Sequence, residues 1–239
     1  RHARYHLQLR PGSNVALLNM FTYYILKEGL VDQDFIDRRC EGFEEFREAV
    51  LALDLDVIEE RTGVPREKVR EAAIAYGSAP NAMTFHGLGV TEHSQGSKTV
   101  MLMANLNMMT GNIGRIGVGM NPLRGQNNVQ GAADMGVQPH QGAGYMPVTD
   151  PEAQQKYTLH YGVEAPKEIG LKIPQMFNAA IAGRLKALWI MGEDVVQTDP
   201  NTHHVVKSLE ALDLLVVQDI FLSETAKMAD VVLPASSFV

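Results

Sequence analysis

The sequence predicts an α/β fold: two doubly wound, parallel-sheet units that meet near residue 126, so that residues 1–126 and 127–239 each form part of a dinucleotide-binding-like domain. Two observations carry this. Short apolar runs of strand length at residues 81–86, 186–191, 214–218 and 230–233 alternate with longer segments of helical periodicity. Strands alternating with helices imply crossover connections, hence parallel strands covered on both faces. The length, 239 residues, suits one large core or two modest ones.

From the beginning of the chain, residues 6–10 alternate like a short strand. Pro11-Gly12-Ser13-Asn14 then turns into an apolar-periodic helix from Val15 to Lys27, stopped at Gly29. Ser13 and Asn14 are residue types that cap a helix, and a helix N-terminus after a glycine turn suits a phosphate. Residues 32–77 read as several short amphipathic helices, broken at Gly63 and Pro65 before a helix from Arg66 to Tyr76. They look like packing. Cys40, among charged helical residues, reads as an inert thiol rather than a reactive one.

The strand from Asn81 to His86 runs into a glycine-bearing loop, 87–96, and then a methionine-rich helix from Lys98 to Met109. Such a βα turn is where open parallel sheets bind ligands. The methionines at 101, 103, 108, 109 and 120 read as core filling.

The next stretch has no core-forming character. Asn121-Pro-Leu-Arg124-Gly125-Gln126-Asn127-Asn128-Val-Gln130-Gly131 offers, besides Asn121, four side-chain amides (126, 127, 128 and 130) and one guanidinium, against Pro122, Leu123 and Val129 as its apolar side chains. Such a segment is either solvated or wrapped around something polar. Turn chemistry explains the glycines and asparagines, whereas flexible linkers seldom carry several large amides around one arginine.

Beyond it, residues 145–166 read as an irregular excursion, given Pro147, Asp150-Pro151 and Pro166. A helix follows from Pro174 to Gly183 and a strand from Lys186 to Met191, closed by Gly192-Glu193-Asp194. Gln197-Thr198-Asp199-Pro200 introduces a helix from Asn201 to Leu212, with His203 and His204 in its first turn. Strands at Leu214–Gln218 and Asp230–Leu233 complete the unit. Carboxylates at parallel-strand ends commonly fix hydroxyls or purine N–H edges. Glu193, Asp194 and Asp219 stand at such ends, and each is equally suited to capping a helix.

Composition narrows the class. The net charge of −7 argues against nucleic acid or an anionic membrane surface as the main partner. No apolar run reaches the roughly 18 residues that span a bilayer. One cysteine excludes an internal disulfide framework or a cysteine-held cluster within this chain. Of the eight histidines only His2 and His6 stand four apart, and they fall where the chain reads as extended rather than helical, so no metal ligand is expected here. The chain begins without methionine and stops just after Leu233-Pro-Ala-Ser-Ser-Phe238, which reads as an internal segment of a longer polypeptide.

Residues 122–131 followed by Asp134-Met-Gly136 closely resemble the active-site segment of molybdopterin-dependent formate dehydrogenases, in the catalytic alpha subunit. His6 to Asn14, Thr110 to Gly114, Met191 to Asp194, Gln197 to Asp199, Val217 to Phe221 and Ala229 to Pro234 resemble the same family in the same order. The resemblance implies the molybdopterin oxidoreductase type of fold, with a bis-molybdopterin guanine dinucleotide carrying Mo or W. It further implies that the iron-sulfur region, the metal-ligating cysteine or selenocysteine with its histidine, and a C-terminal domain lie outside these residues.

Residue by residue, the resemblance makes Arg124 the substrate arginine. It makes Gly12, Ser13, Asn14, Gly89, Thr91, Glu92, Gly125, Gln126, Asn127, Gly192, Glu193, Asp194, Thr198, Gln218 and Asp219 cofactor contacts. Glu92 departs from the family, which has glutamine there. The implied partners are formate and electron-transfer subunits or domains, iron-sulfur and either NAD- or hydrogenase-linked. The implied compartment is the cytoplasm, with the periplasm as the alternative. An arginine fork holds a small anion in bidentate fashion without ever deprotonating. The alternatives are another molybdopterin oxidoreductase, nitrate reductase-like or the large subunit of a respiratory NADH dehydrogenase, or a noncatalytic dinucleotide-binding module.

Overall fold

A computed structural model describes residues 2–237. The chain divides into two compact units, residues 1–129 and 130–239.

The first unit is helical at its start. Helices α1 (Asn14–Lys27), α2 (Gln33–Arg39), α3 (Phe43–Leu51), α4 (Leu55–Thr62) and α5 (Arg66–Gly77) are followed by β1 (Met83–His86), α6 (Leu88–Thr91), α7 (Gly96–Met109) and β2 (Gly119–Pro122). Local chemistry sets the breaks. Asp32 and Asp54 accept the first free N–H groups of α2 and α4, and Gly63 ends α4 in the left-handed region at φ 69°. Met20, Ile25, Val69, Ala73 and Met109, drawn from α1, α5 and α7, form the center of the core.

Three expectations fail in this unit. Residues 6–10 belong to no β-ladder. Their alternation is met by packing instead: Leu7 and Leu9 lie against the helical core, and the Arg10 N–H donates to Thr62 O at 2.9 Å. The loop at 87–96 contains the one-turn helix α6, which buries no residue. Of the methionines, Met103 and Met109 are buried, whereas Met101 is 65% exposed and fills no core.

In the second unit, α8 (Val129–Asp134), α9 (Pro151–Tyr161) and α10 (Ile173–Ile181) precede β3 (Ala187–Met191), α11 (Val195–Thr198), α12 (Thr202–Glu210), β4 (Leu214–Asp219) and β5 (Val231–Pro234). The supposed irregular excursion therefore contains a helix. Asp150 accepts the Glu152 N–H at 2.9 Å, Pro151 occupies the first turn and Gly162 closes the last at φ 73°. Asp-Pro here is a cap followed by a first helical residue, not a loop signal.

Both sheets are parallel, as expected: β1 pairs with β2, and β3-β4-β5 form the second sheet. One face of the latter packs Ile190, Leu215 and Val217 against Phe177 of α10 and Val205 and Leu209 of α12. The other face is not covered among the described residues. Trp189 is 57% exposed, and Val231 and Leu233 on the same face of β5 are exposed as well. Covering on both faces, as the alternation implied, is thus not met within these residues.

Candidate functional site

In the first unit, His86 stands in register with Pro122, so β1 and β2 end at the same edge of their sheet. Two polar segments leave from that edge. The Leu123 N–H donates to His86 O at 2.7 Å, which ties the start of the second segment to the end of β1. A Cβ on Gly125 would lie 3.8 Å from Leu88 Cδ1, so the segments also touch further out. The segments that bear Gly89, Thr91 and Glu92 and Arg124, Gly125, Gln126 and Asn127 thereby leave from one edge. This is the carboxyl end of parallel strands, where α/β sheets bind ligands.

Within this edge the support is better tied than the tips. Asn121 Nδ2 donates to Thr84 O and Gly119 O, each at 3.2 Å. Arg124 is exposed, donates from Nη1 to Val129 O at 3.3 Å and has no carboxylate partner among the described residues. Gln126, Asn127 and the Glu92 side chain are exposed. Thr91 Oγ1 donates to Gly87 O at 3.4 Å, inside its own turn.

The Gly12-Ser13-Asn14 turn lies elsewhere in the hydrogen-bond pattern. Its long-range bonds run to the end of α4, through the Arg10 N–H to Thr62 O and Arg10 Nη1 to Glu60 O at 2.7 Å. Ser13 precedes α1 but does not cap it with its side chain. It is 3% exposed, and its hydroxyl donates to Arg10 O at 2.6 Å. Gly12, at φ 81°, has open space where a Cβ would go, so its backbone is approachable.

In the second unit, Gly192, Glu193, Asp194, Thr198, Gln218 and Asp219 collect at the carboxyl ends of β3 and β4. The Gly192 N–H donates to Gln218 O at 2.8 Å, and at φ 64° Gly192 also faces open space. The carboxylates spend their oxygens on the protein. Thr198 Oγ1 donates to Glu193 Oε1 at 2.7 Å. Asp219 Oδ1 accepts the Ile220 N–H at 2.6 Å. Asp194 leads into α11 without capping it by its side chain, and receives Thr225 and Glu224 instead. Burial pushes the Asp199 carboxyl up, and the charge of Glu193 adds to the rise.

Three features were not anticipated from the sequence. Thr225 is fully buried as the partner of Asp194, although Ser223-Glu224-Thr225 has the composition of a cap. His86 is buried with no hydrogen bond at either ring nitrogen. Asn112, 2% exposed, accepts the Ala82 N–H at 3.0 Å and donates to Thr110 at 2.9 Å, while Arg115 reaches Pro80 O at 3.0 Å and Asn81. The Thr110–Gly114 block thus anchors the entry to β1.

In each unit, exposed polar groups and approachable glycine backbone stand at the carboxyl ends of parallel strands, and in the first unit they include an arginine without a carboxylate partner among the described residues; such residues fit a large polar cofactor. Residues 1–239 match the molybdopterin oxidoreductase family, and the chain belongs to it. It is 48% identical over 232 residues to F420-dependent formate dehydrogenase 2 subunit alpha of Methanococcus maripaludis, covering 97% of this chain and 34% of that protein. It is 44% identical over 239 residues to formate dehydrogenase H of Escherichia coli, covering 100% of this chain and 33% of that protein. The chain therefore spans about a third of the length of these curated relatives. Acetylene hydratase from Pelobacter acetylenicus shares the fold, with a TM-score of 0.70 at 22% identity over 98% of this chain and 34% of that structure.

Proposed function

We propose that this chain is part of the catalytic subunit of a molybdenum- or tungsten-dependent formate dehydrogenase, and that Arg124 holds formate. The observation that carries the reading is the Arg124 guanidinium: exposed, without a carboxylate partner among the described residues, and borne on a segment tied at its base to the end of β1. The named formate dehydrogenases at 44–48% identity support the substrate class. A planar guanidinium binds a carboxylate by two parallel charge-assisted hydrogen bonds and fixes its orientation as well as its charge.

In this reading the residues assigned to the cofactor within each unit contact molybdopterin in its guanine dinucleotide form. Residues 1–126 form part of a first dinucleotide-binding-like domain and residues 127–239 part of a second. Gly12 and Gly192 admit close backbone approach, and Gly89, Gly125, Gln126 and Asn127 present backbone or amide groups. Asn14, Thr91, Glu92 and Gln218 supply further polar contacts. Ser13, Glu193, Asp194, Thr198 and Asp219 act through the backbone they fix, because their side chains are engaged within the protein. The metal-pterin centre, when bound, supplies the two-electron chemistry, and electrons pass on through an iron-sulfur cluster to partner subunits or domains. The residues of this chain bind and orient.

The test is the full-length protein: it should contain pterin with Mo or W, reduce an oxidised dye with formate, and fail to oxidise a reduced dye with nitrate. Oxidation of a reduced dye by nitrate without dye reduction by formate, or a protein free of pterin, would overturn the reading.

A further inference from the structure

His86 is the last residue of β1 and only 7% exposed, yet neither Nδ1 nor Nε2 has a hydrogen-bond partner. Two residues earlier on the same face of the strand, Thr84 receives the side-chain amide of Asn107 in α7 at 2.9 Å. The chain thus provides a partner for one polar side chain on this face and none for the next. A buried imidazole without a partner is costly where an apolar ring is not, so a histidine here has no packing rationale.

Its position supplies one. His86 O is bonded to the Leu123 N–H, which fixes the residue at the edge from which the Arg124 segment departs. The element that follows, α6, lies against both α7 and β1, buries none of its own residues and is entered through Gly87. An orphan imidazole under a lightly held turn, at the carboxyl end of a parallel strand, is suited to a ligand group that arrives there.

We propose that His86 hydrogen-bonds a polar group of the bound pterin dinucleotide, reached when α6 shifts. The proposal rests on the cofactor assignment made above. A neutral imidazole donates at one nitrogen and accepts at the other, so it serves a heterocyclic N–H or a phosphate oxygen alike.

The experiment uses the full-length enzyme with and without its cofactor. His86→Phe removes both nitrogens while keeping a ring. The cofactor-free variant should unfold at a higher temperature than the cofactor-free wild type, because an unpaired polar group has gone. The loaded variant should retain pterin about tenfold less well through dialysis, the size of one lost hydrogen bond. His86→Gln, which keeps a donor and an acceptor, should restore retention. Pterin retention unchanged in His86→Phe would overturn the proposal, as would a cofactor-free His86→Phe protein less stable than wild type, since the imidazole would then have a partner in the protein or its water. A wild-type enzyme without pterin would instead overturn the cofactor assignment itself.

Discussion

A single oxygen of Asp194, just after β3, holds Thr225, far along the chain beyond β4. Asp194 Oδ1 accepts the Thr225 hydroxyl at 2.6 Å and the Thr225 N–H at 3.0 Å. The Thr225 hydroxyl oxygen also accepts the Val196 N–H at 3.1 Å. One carboxylate thereby joins the turns that follow two neighboring strands. A family-matching acidic residue at a strand end is here a tie between backbone segments.

Replacing Asp194 should test that tie. Asp194→Ala leaves the buried Thr225 hydroxyl and N–H without their acceptor, which costs about 2–3 kcal/mol in the full-length protein. Equilibrium denaturation should show a lower midpoint with an unchanged slope. Asp194→Asn keeps one acceptor and should cost less.

The same carboxylate sets an acid limit. Burial pushes the Asp194 carboxyl up, but the Thr225 hydroxyl and N–H, the Glu224 N–H and the Gln197 side chain outweigh it, so its net shift is down. A carboxyl depressed in the folded state contributes fully above the ordinary carboxylate range, and that contribution is lost as pH falls through its folded-state value. Stability of the wild type should therefore drop more steeply with acid than that of Asp194→Asn. Parallel pH profiles would disprove the assignment.

Asn112 tests the other unit. Asn112→Ala orphans the buried Ala82 N–H at the entry to β1 and should destabilise by roughly 1–3 kcal/mol, measured by denaturant unfolding of the full-length protein. Asn112→Asp preserves the acceptor and should recover part of the loss.

For Arg124, the lysine variant keeps charge and loses the fork. Losing one of two charge-assisted bonds costs roughly 1.5–3 kcal/mol, or on the order of 10- to 100-fold in kcat/KM for formate in the full-length enzyme. Arg124→Ala should cost more. Pterin and metal content should remain at wild-type levels in both variants. Loss of pterin would make Arg124 a cofactor residue.

Gly192→Ala separates backbone strain from ligand approach. The added methyl meets nothing in the protein, but φ is 64°, so a strain of about 1 kcal/mol is expected in thermal unfolding. If cofactor backbone contact occurs at this turn, pterin retention should fall by more than that strain accounts for.

Local rules made much of this structure legible. Gly63 and Pro65 bound helices where the sequence indicated, and the strands at 187–191, 214–219 and 231–234 lie within two residues of their expected ends. The failures had physical causes. Residues 6–10 alternate as a strand does, but Leu7 and Leu9 find helices to pack on and no ladder to join. Asp150-Pro151 signals a helix start as well as a turn, and only the burial of Ala153 and Tyr157 on one side decides for the helix.

For the candidate site, the sequence by itself determined the polar character of residues 121–131, the parallel class of the sheets and the family. Residue types and periods carry those properties along the chain. Only the tertiary structure decided which side chains remain available. Asp194 faces Thr225, Thr198 faces Glu193 and Ser13 turns back on Arg10, while Arg124 and Gln126 stay exposed and His86 is buried without a partner. The reason is that a side chain's free hydrogen-bonding capacity is what remains after its spatial neighbors have been satisfied, and those neighbors lie up to 31 residues away in the chain.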